Sequence, residues 1–219
     1  MISPTEYSSL LMIMALDIPE LTGPRAFPGQ FVNALVGPQC PSPAGQAMLT
    51  SFVRFVEAAR AQYRVGGAAA QTFVSENQNL YGFVDASTAF ETCNGYMHRA
   101  IRCMRAIRSK PAVSVVANAL FPTSPPFMAN AVQNSVRNVR DAVQHSYDKV
   151  FDGSIVEGTP FMLGLVGTEV STPTADNPNQ TTLTYDGIHI GSQRIHFVNM
   201  AVWLDQMAEA AESIVAYHP

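Results

Sequence analysis

The sequence predicts a mainly α-helical fold with a small antiparallel β-hairpin or meander inserted before the last helix. Three observations carry that expectation. Five stretches repeat apolar residues at three- and four-residue intervals, the period of one helix face. Between the fourth and fifth lies a stretch rich in Thr, Val, Ile and Tyr, punctuated by Gly, Pro and Asn. The 219 residues are 47% hydrophobic and only 14% charged, enough apolar side chain for one core and too little charge for a disordered chain.

The first helix is expected over about residues 4–16, ending before Pro19 and Gly23-Pro24. Its apolar run has no basic flank and falls well short of the roughly 20 residues that span a bilayer. A cytoplasmic protein without a membrane segment is therefore expected. The second helix, about 44–64, places Met48, Phe52, Phe55, Val56, Ala59 and Tyr63 on one stripe, with Gly66-Gly67 as its stop. The third, about 85–109, carries Phe90, Cys93, Met97, Ala100, Met104 and Ile107, with Asp85 as its N-cap and Lys110-Pro111 as its end. The fourth, about 126–151, has the stripe Met128, Val132, Val136, Val139, Val143, Tyr147 and Val150.

A strand over 164–170, a polar loop over 172–180 and a second strand from 182–185 follow. Residues 188–190 and 193–196 flank Gly191-Ser192, a Gly-first two-residue turn that pairs Ile188 with Ile195 and His189 with Arg194. The last helix, about 197–217, carries the only tryptophan, Trp203. With no repeat and no linker, residues 1–219 are expected to form one domain.

Cys40, Cys93 and Cys103 are odd in number and lack CxxC spacing, so they read as buried thiols and not as a disulfide framework or zinc ribbon. Cys93, His98 and Cys103 lie five residues apart, about 140° per step on a helix, and diverge. No GxxxxGK[ST], GxGxxG or HExxH occurs, so no cofactor or metal is expected.

The fourth helix carries the chemistry. With Val136, Val139 and Val143 inward, Asn134, Asn138, Asp141 and His145 follow at four, three and four residues on the opposite stripe, flanked by Arg137 and Arg140. Amides, guanidiniums and an imidazole form directional hydrogen bonds and bind phosphate. The alternative is a polar surface or a hydrogen-bonded dimer seam. Charge is distributed unevenly. Residues 92–140 contain no Asp or Glu and carry +7, against a total of −4, so the remainder carries −11. Arg99, Arg102, Arg105 and Arg108 recur every three residues in a drifting band. Packed beside the fourth helix, that band would share a groove suited to a phosphate backbone. Alternatively, the arginine stems cover the seam between the helices, or the arginines pair with acids elsewhere in the chain.

Arg140-Asp141-Ala142-Val143-Gln144-His145 is an R-x4-H pattern with a polar residue directly after the arginine, on a long late helix. In these residues the chain resembles the HEPN superfamily, small helical proteins that include metal-independent ribonucleases. The resemblance covers about residues 85–217, the motif-bearing core; residues 1–80 match no family feature. It implies a HEPN-like helical bundle and an endoribonuclease that cleaves RNA by 2′-OH transesterification. It also implies a toxin or phage-defence effector, restrained by an antitoxin or other regulatory partner. Arg140 and His145 lie about 140° apart on one helix, and the family arrangement is a homodimer whose motif helices meet in a shared cleft.

The chemistry distributes the roles. Histidine titrates near neutrality, so His145 is the proton-transfer candidate. Arg140 stays charged and clamps the phosphate. Asp141 orients or tunes an imidazole, while Arg137, Asn138, Arg99, Arg102 and Arg105 contact RNA. Tyr147 is expected in the core, and His189 and His196 on the hairpin as solvated positions that offer a second imidazole. His98 and His218 carry no specific signal. Two other readings stay open. One is a non-catalytic helical module for dimerisation or RNA binding. The other is a structural or assembly subunit, suggested by the proline-rich segments 39–44 and 121–127.

Overall fold

A computed structural model describes residues 12–25, 40, 42–76, 78–158 and 160–217. In chain order these form β1 (Met12–Leu16), α1 (Pro43–Ser75), α2 (Leu80–Ser109), α3 (Pro111–Leu120), a 3-10 turn (Pro126–Met128), α4 (Asn130–Phe151), β2 (Gly164–Ser171), β3 (Thr181–Ile190), β4 (Gln193–His196) and α5 (Phe197–Val215). The fold is mostly helical, with a small sheet whose strands β2–β4 precede the last helix, as the sequence predicts.

α1 starts where Ser42 caps it, Oγ accepting from the Gly45 N–H at 3.4 Å, with Pro43 supplying a φ already suited to the first turn. It then runs straight through Gly66-Gly67, the expected stop, as far as Ser75. Packing explains why. A Cβ on Gly66 would lie 2.9 Å from the Phe90 ring, so the glycine makes room for α2 instead of ending α1. The two helices run antiparallel: Cys103 of α2 meets Met48 of α1 near one end, and Gly82 meets Phe73 near the other. At Gly82 a Cβ would sit 2.8 Å from the Phe73 backbone N and 3.0 Å from the Ala69 carbonyl O. Backbone atoms cannot swing aside as a side chain can. Gly82→Ala is therefore expected to push the helices apart at a cost of about 1–3 kcal/mol. It should be read as a lower urea midpoint at unchanged slope.

α2 begins at Leu80, five residues before the expected start, because the side chain of Asn79 accepts from the Tyr81 N–H at 3.0 Å and caps the helix. Asp85 is an interior residue. Lys110-Pro111 ends α2 as expected, but the same proline opens α3, a helix the sequence reading lacks. Residues 126–128 form the 3-10 turn, and α4 proper starts at Asn130. Within 121–127, Phe121 and Phe127 are buried, so the proline-rich segment packs onto the core through its two ends.

The sheet is mixed. β2, β3 and β4 form the expected antiparallel meander, with Ile188 opposite Ile195 and His189 opposite Arg194 as read from the turn. Gly191 has a left-handed φ of 55°, as the first central residue of such a turn requires. β3 is continuous over Thr181–Ile190, joining the two short strands expected separately. β1 departs from the helix expected over residues 4–16. The described part of the 4–16 stretch is a strand, parallel to β3 with Met12 opposite Thr181 and Leu16 opposite Tyr185, while residues 4–11 lie outside the described residues. A short continuous apolar run suits either state, and the open edge of β3 decides.

The core draws on every helix and on the sheet. Phe90 sits at its centre with no exposure, 4.8 Å from the Phe197 ring and edge-on to Tyr63 at 5.9 Å. Val136, Val139 and Val143 of α4 are buried, as the stripe predicts. Arg60 is also fully buried. Its guanidinium donates to the Gly23 and Pro24 carbonyls, and Asp205, 3.9 Å away, accepts from Thr22 N–H and Oγ1 at 2.8 Å each. This cluster ties residues 22–24 to α1 and α5. Of the cysteines, Cys93 is buried, and burial holds its thiol well above the ordinary value. Cys40 and Cys103 are only half-buried, a correction to the expectation for all three. Cys103 donates to the Met48 carbonyl at 3.2 Å, and burial pushes its thiol up to about 11. No described helix is long and apolar enough to cross a membrane.

Candidate functional site

Two polar links register α4 on α2. Buried Asn94 donates to the Val136 carbonyl at 3.1 Å, and Tyr147 OH donates to Glu91 at 2.9 Å to Oε2 and 3.1 Å to Oε1. Tyr147 is half-buried and packs against the core; burial and the neighbouring Glu91 carboxylate push its phenol up to about 12. With the helices held so, their outer flanks leave a groove of about 440 Å³. Ile101 forms part of its lining. His98, Arg102 and Arg105 come from α2, while Asn130, Gln133, Asn134, Arg137, Arg140 and Asp141 come from α4. The spacing accounts for both walls. His98, Arg102 and Arg105 stand four and three residues apart, as do Gln133, Arg137 and Arg140, so each set shares one helix face.

Local bonds aim the guanidiniums. Arg140 Nη1 lies 2.8 Å from Asp141 Oδ1, Arg137 Nη2 donates to Asn134 Oδ1 at 3.1 Å, and Arg105 donates to Gln133 Oε1. Exposed pairs of this kind contribute little stability; their consequence is orientation. Four guanidiniums face a single carboxylate in the groove. Among them sits His98, half-buried, and its imidazole is held below its ordinary value. Burial is the largest cause, followed by Arg140 and Arg102; Asp141 opposes them, and Arg105 adds a smaller lowering.

The structure divides the residues chosen from sequence. Arg102, Arg105, Arg137, Arg140 and Asp141 come together in the groove. Arg99, Asn138 and His145 do not line it. Arg99 sits over the Tyr96 ring at 5.3 Å, and Arg108 donates to the Phe121 and Thr123 carbonyls at 3.1 and 2.9 Å. The three-residue repeat drifts about 60° per step on a helix, so only the middle pair of the four arginines faces α4. His145 is 78% exposed, with Nδ1 3.9 Å from Asp148 Oδ2. It lines a separate groove of about 290 Å³ beside Lys149 and the β3–β4 turn. Within the chain, Arg140 and His145 line different surfaces.

On the hairpin, His196 Nδ1 lies 3.6 Å from Asp186 Oδ2, and Arg194 pairs with the same carboxylate at 2.6 Å. Neither His189 nor His196 lines the α2–α4 groove. His218 lies outside the described residues. Sequence reasoning missed His98 and Gln133. The signal for His98 was present in its spacing from Arg102 and Arg105, the same pattern that grouped the α4 residues. Among the described residues, no three or more His, Cys, Asp or Glu side chains are grouped so as to hold a metal ion.

No family model, curated protein or solved structure matches the chain. The chemistry of the groove is that of its own side chains: a dense, permanently cationic surface with directional donors and one imidazole. Such a surface suits the non-bridging oxygens of a phosphodiester chain, which guanidiniums engage in pairs.

Proposed function

We propose that the protein is a metal-independent endoribonuclease of HEPN type, acting in the cytoplasm on RNA whose backbone lies in the α2–α4 groove. The observation that carries this reading is the convergence of four guanidiniums on one groove beside a single carboxylate. Arg140 clamps the scissile phosphate, with Arg102, Arg105 and Arg137 on flanking phosphates. His145 turns away from the groove of its own protomer, so the reading requires a homodimer in which His145 of one copy reaches the groove of the other. A toxin or phage-defence effector held in check by an antitoxin or other regulatory partner is the setting that goes with this activity.

Binding and cleavage are tested separately. Four phosphate contacts give an expected slope of log K on log salt of about −3 for single-stranded RNA, and each arginine replaced by glutamine flattens it by about 0.7. Fluorescence anisotropy across a salt series measures this with 2′-O-methyl RNA, which lacks the attacking hydroxyl. For cleavage, the full chain is incubated with RNA in EDTA, and the expected products end in a 2′,3′-cyclic phosphate and a 5′-hydroxyl. Light scattering is expected to report a dimer. A monomer with full activity would overturn the shared-cleft arrangement. A second reading is a non-catalytic RNA-binding or dimerisation module, favoured by the placement of His145 in a separate groove. Salt-dependent binding with no cleavage products would establish it in place of the first.

A further inference from the structure

We propose that His98 is the general base of this site, the imidazole that takes the 2′-OH proton of RNA bound in the α2–α4 groove. The inference rests on the endoribonuclease reading and assigns a residue that the R-x4-H motif does not contain. Its ground is placement. His98 lines the same groove as Arg102 and Arg105 of its own helix and Arg137, Arg140 and Asp141 of α4. A backbone held by those guanidiniums lies against the imidazole, whereas His145 of the same protomer lines another groove.

Transesterification requires two proton transfers, and one imidazole cannot perform both at once. Neutral His98 accepts the 2′-OH proton as the 2′-oxygen bonds to phosphorus. The P–O5′ bond breaks, and His145 of a second copy, protonated beforehand, gives its proton to the departing 5′-oxygen. The products are a 2′,3′-cyclic phosphate and a 5′-hydroxyl. His98 ends with one proton more and His145 with one fewer, and exchange with water restores both without net change. The surroundings of His98 favour the base role. Burial, Arg140, Arg102 and Arg105 all disfavour its cation, and only Asp141 supports it.

A base must be neutral, so cleavage falls as pH drops through the His98 value of the free protein, which lies below the ordinary 6.5. The test is the pH profile of kcat/KM from about pH 5 to pH 8. It is measured on full-length chain with mixed-sequence single-stranded RNA in EDTA. His98→Ala and His98→Gln are expected to lower kcat by about 10²- to 10⁴-fold and to abolish the acid limb. Binding of 2′-O-methyl RNA should persist in both, which separates lost chemistry from lost folding. Asp141→Asn should move the acid limb to lower pH, because the carboxylate alone opposes the arginines. Retention of the wild-type acid limb in both His98 variants would overturn the inference and leave the endoribonuclease reading standing. Wild-type chain that leaves RNA intact would overturn both.

Discussion

Arg140→Ala is expected to reduce RNA cleavage by about 10²- to 10³-fold, the usual cost of removing one fixed donor from the charge that builds in a transition state. The guanidinium is permanently charged, and Asp141 holds it at 2.8 Å. The loss should fall on kcat more than on binding, since three other guanidiniums still line the groove. A second consequence is specific to the geometry. Arg140 is the largest charged contributor depressing His98, so its removal should also move the acid limb of the pH profile upward. Arg140→Lys retains a charge but loses the paired donors, and only partial rescue is expected. Single-turnover cleavage across pH in EDTA measures all three effects. An unchanged rate in Arg140→Ala would remove Arg140 from the reaction.

Phe90→Ala should cost about 3–5 kcal/mol of folding stability, a large share of the roughly 5–15 kcal/mol that holds a typical domain. The ring has no exposure, and it joins α2 to α5 through Phe197 and to α1 through Tyr63. It also fills the space that Gly66 leaves on α1, so truncation opens a cavity between three helices. Urea unfolding followed by circular dichroism gives the change directly, and Phe90→Leu should recover part of it. A cost under about 1 kcal/mol, the size of an ordinary substitution, would mean that the helices are not joined at this ring. Because the groove depends on the packing of α2 against α4, a severe loss here should also weaken RNA binding, although Phe90 lies outside the groove.

Much of the helical architecture was legible because an amphipathic helix writes its buried face into its own period. The α4 stripe Val136, Val139, Val143 is buried as read, and the hairpin turns at Gly191-Ser192 in the expected register. Two departures from the sequence pattern have a tertiary cause. Gly66-Gly67 looked like a stop, but its purpose is set by Phe90, a residue of another helix. Met12–Leu16 looked like the end of a helix, yet its state is set by the exposed edge of β3 about 170 positions away (Met12 opposite Thr181). Pro111 marks the end of one helix in the sequence pattern, and in the fold it also begins the next.

The same division runs through the site. The sequence by itself determined where the cationic and polar side chains are concentrated: the arginines of the acid-free segment 92–140 and the polar stripe of α4, whose relative angles follow from helix period alone. Only the tertiary structure decided which of them share a surface. It turned Arg102 and Arg105 toward Arg137 and Arg140, placed Arg99 over Tyr96, put Arg108 on the carbonyls beyond α3, and sent His145 to a separate groove. It also gave His98 its surroundings. The affinity of an imidazole for its proton is a sum over lost water and neighbouring charges; for His98 burial contributes most, and the next cause, Arg140 on α4, is distant in sequence. A helix's period is local, whereas the electrostatics of a groove exist only once two helices have packed.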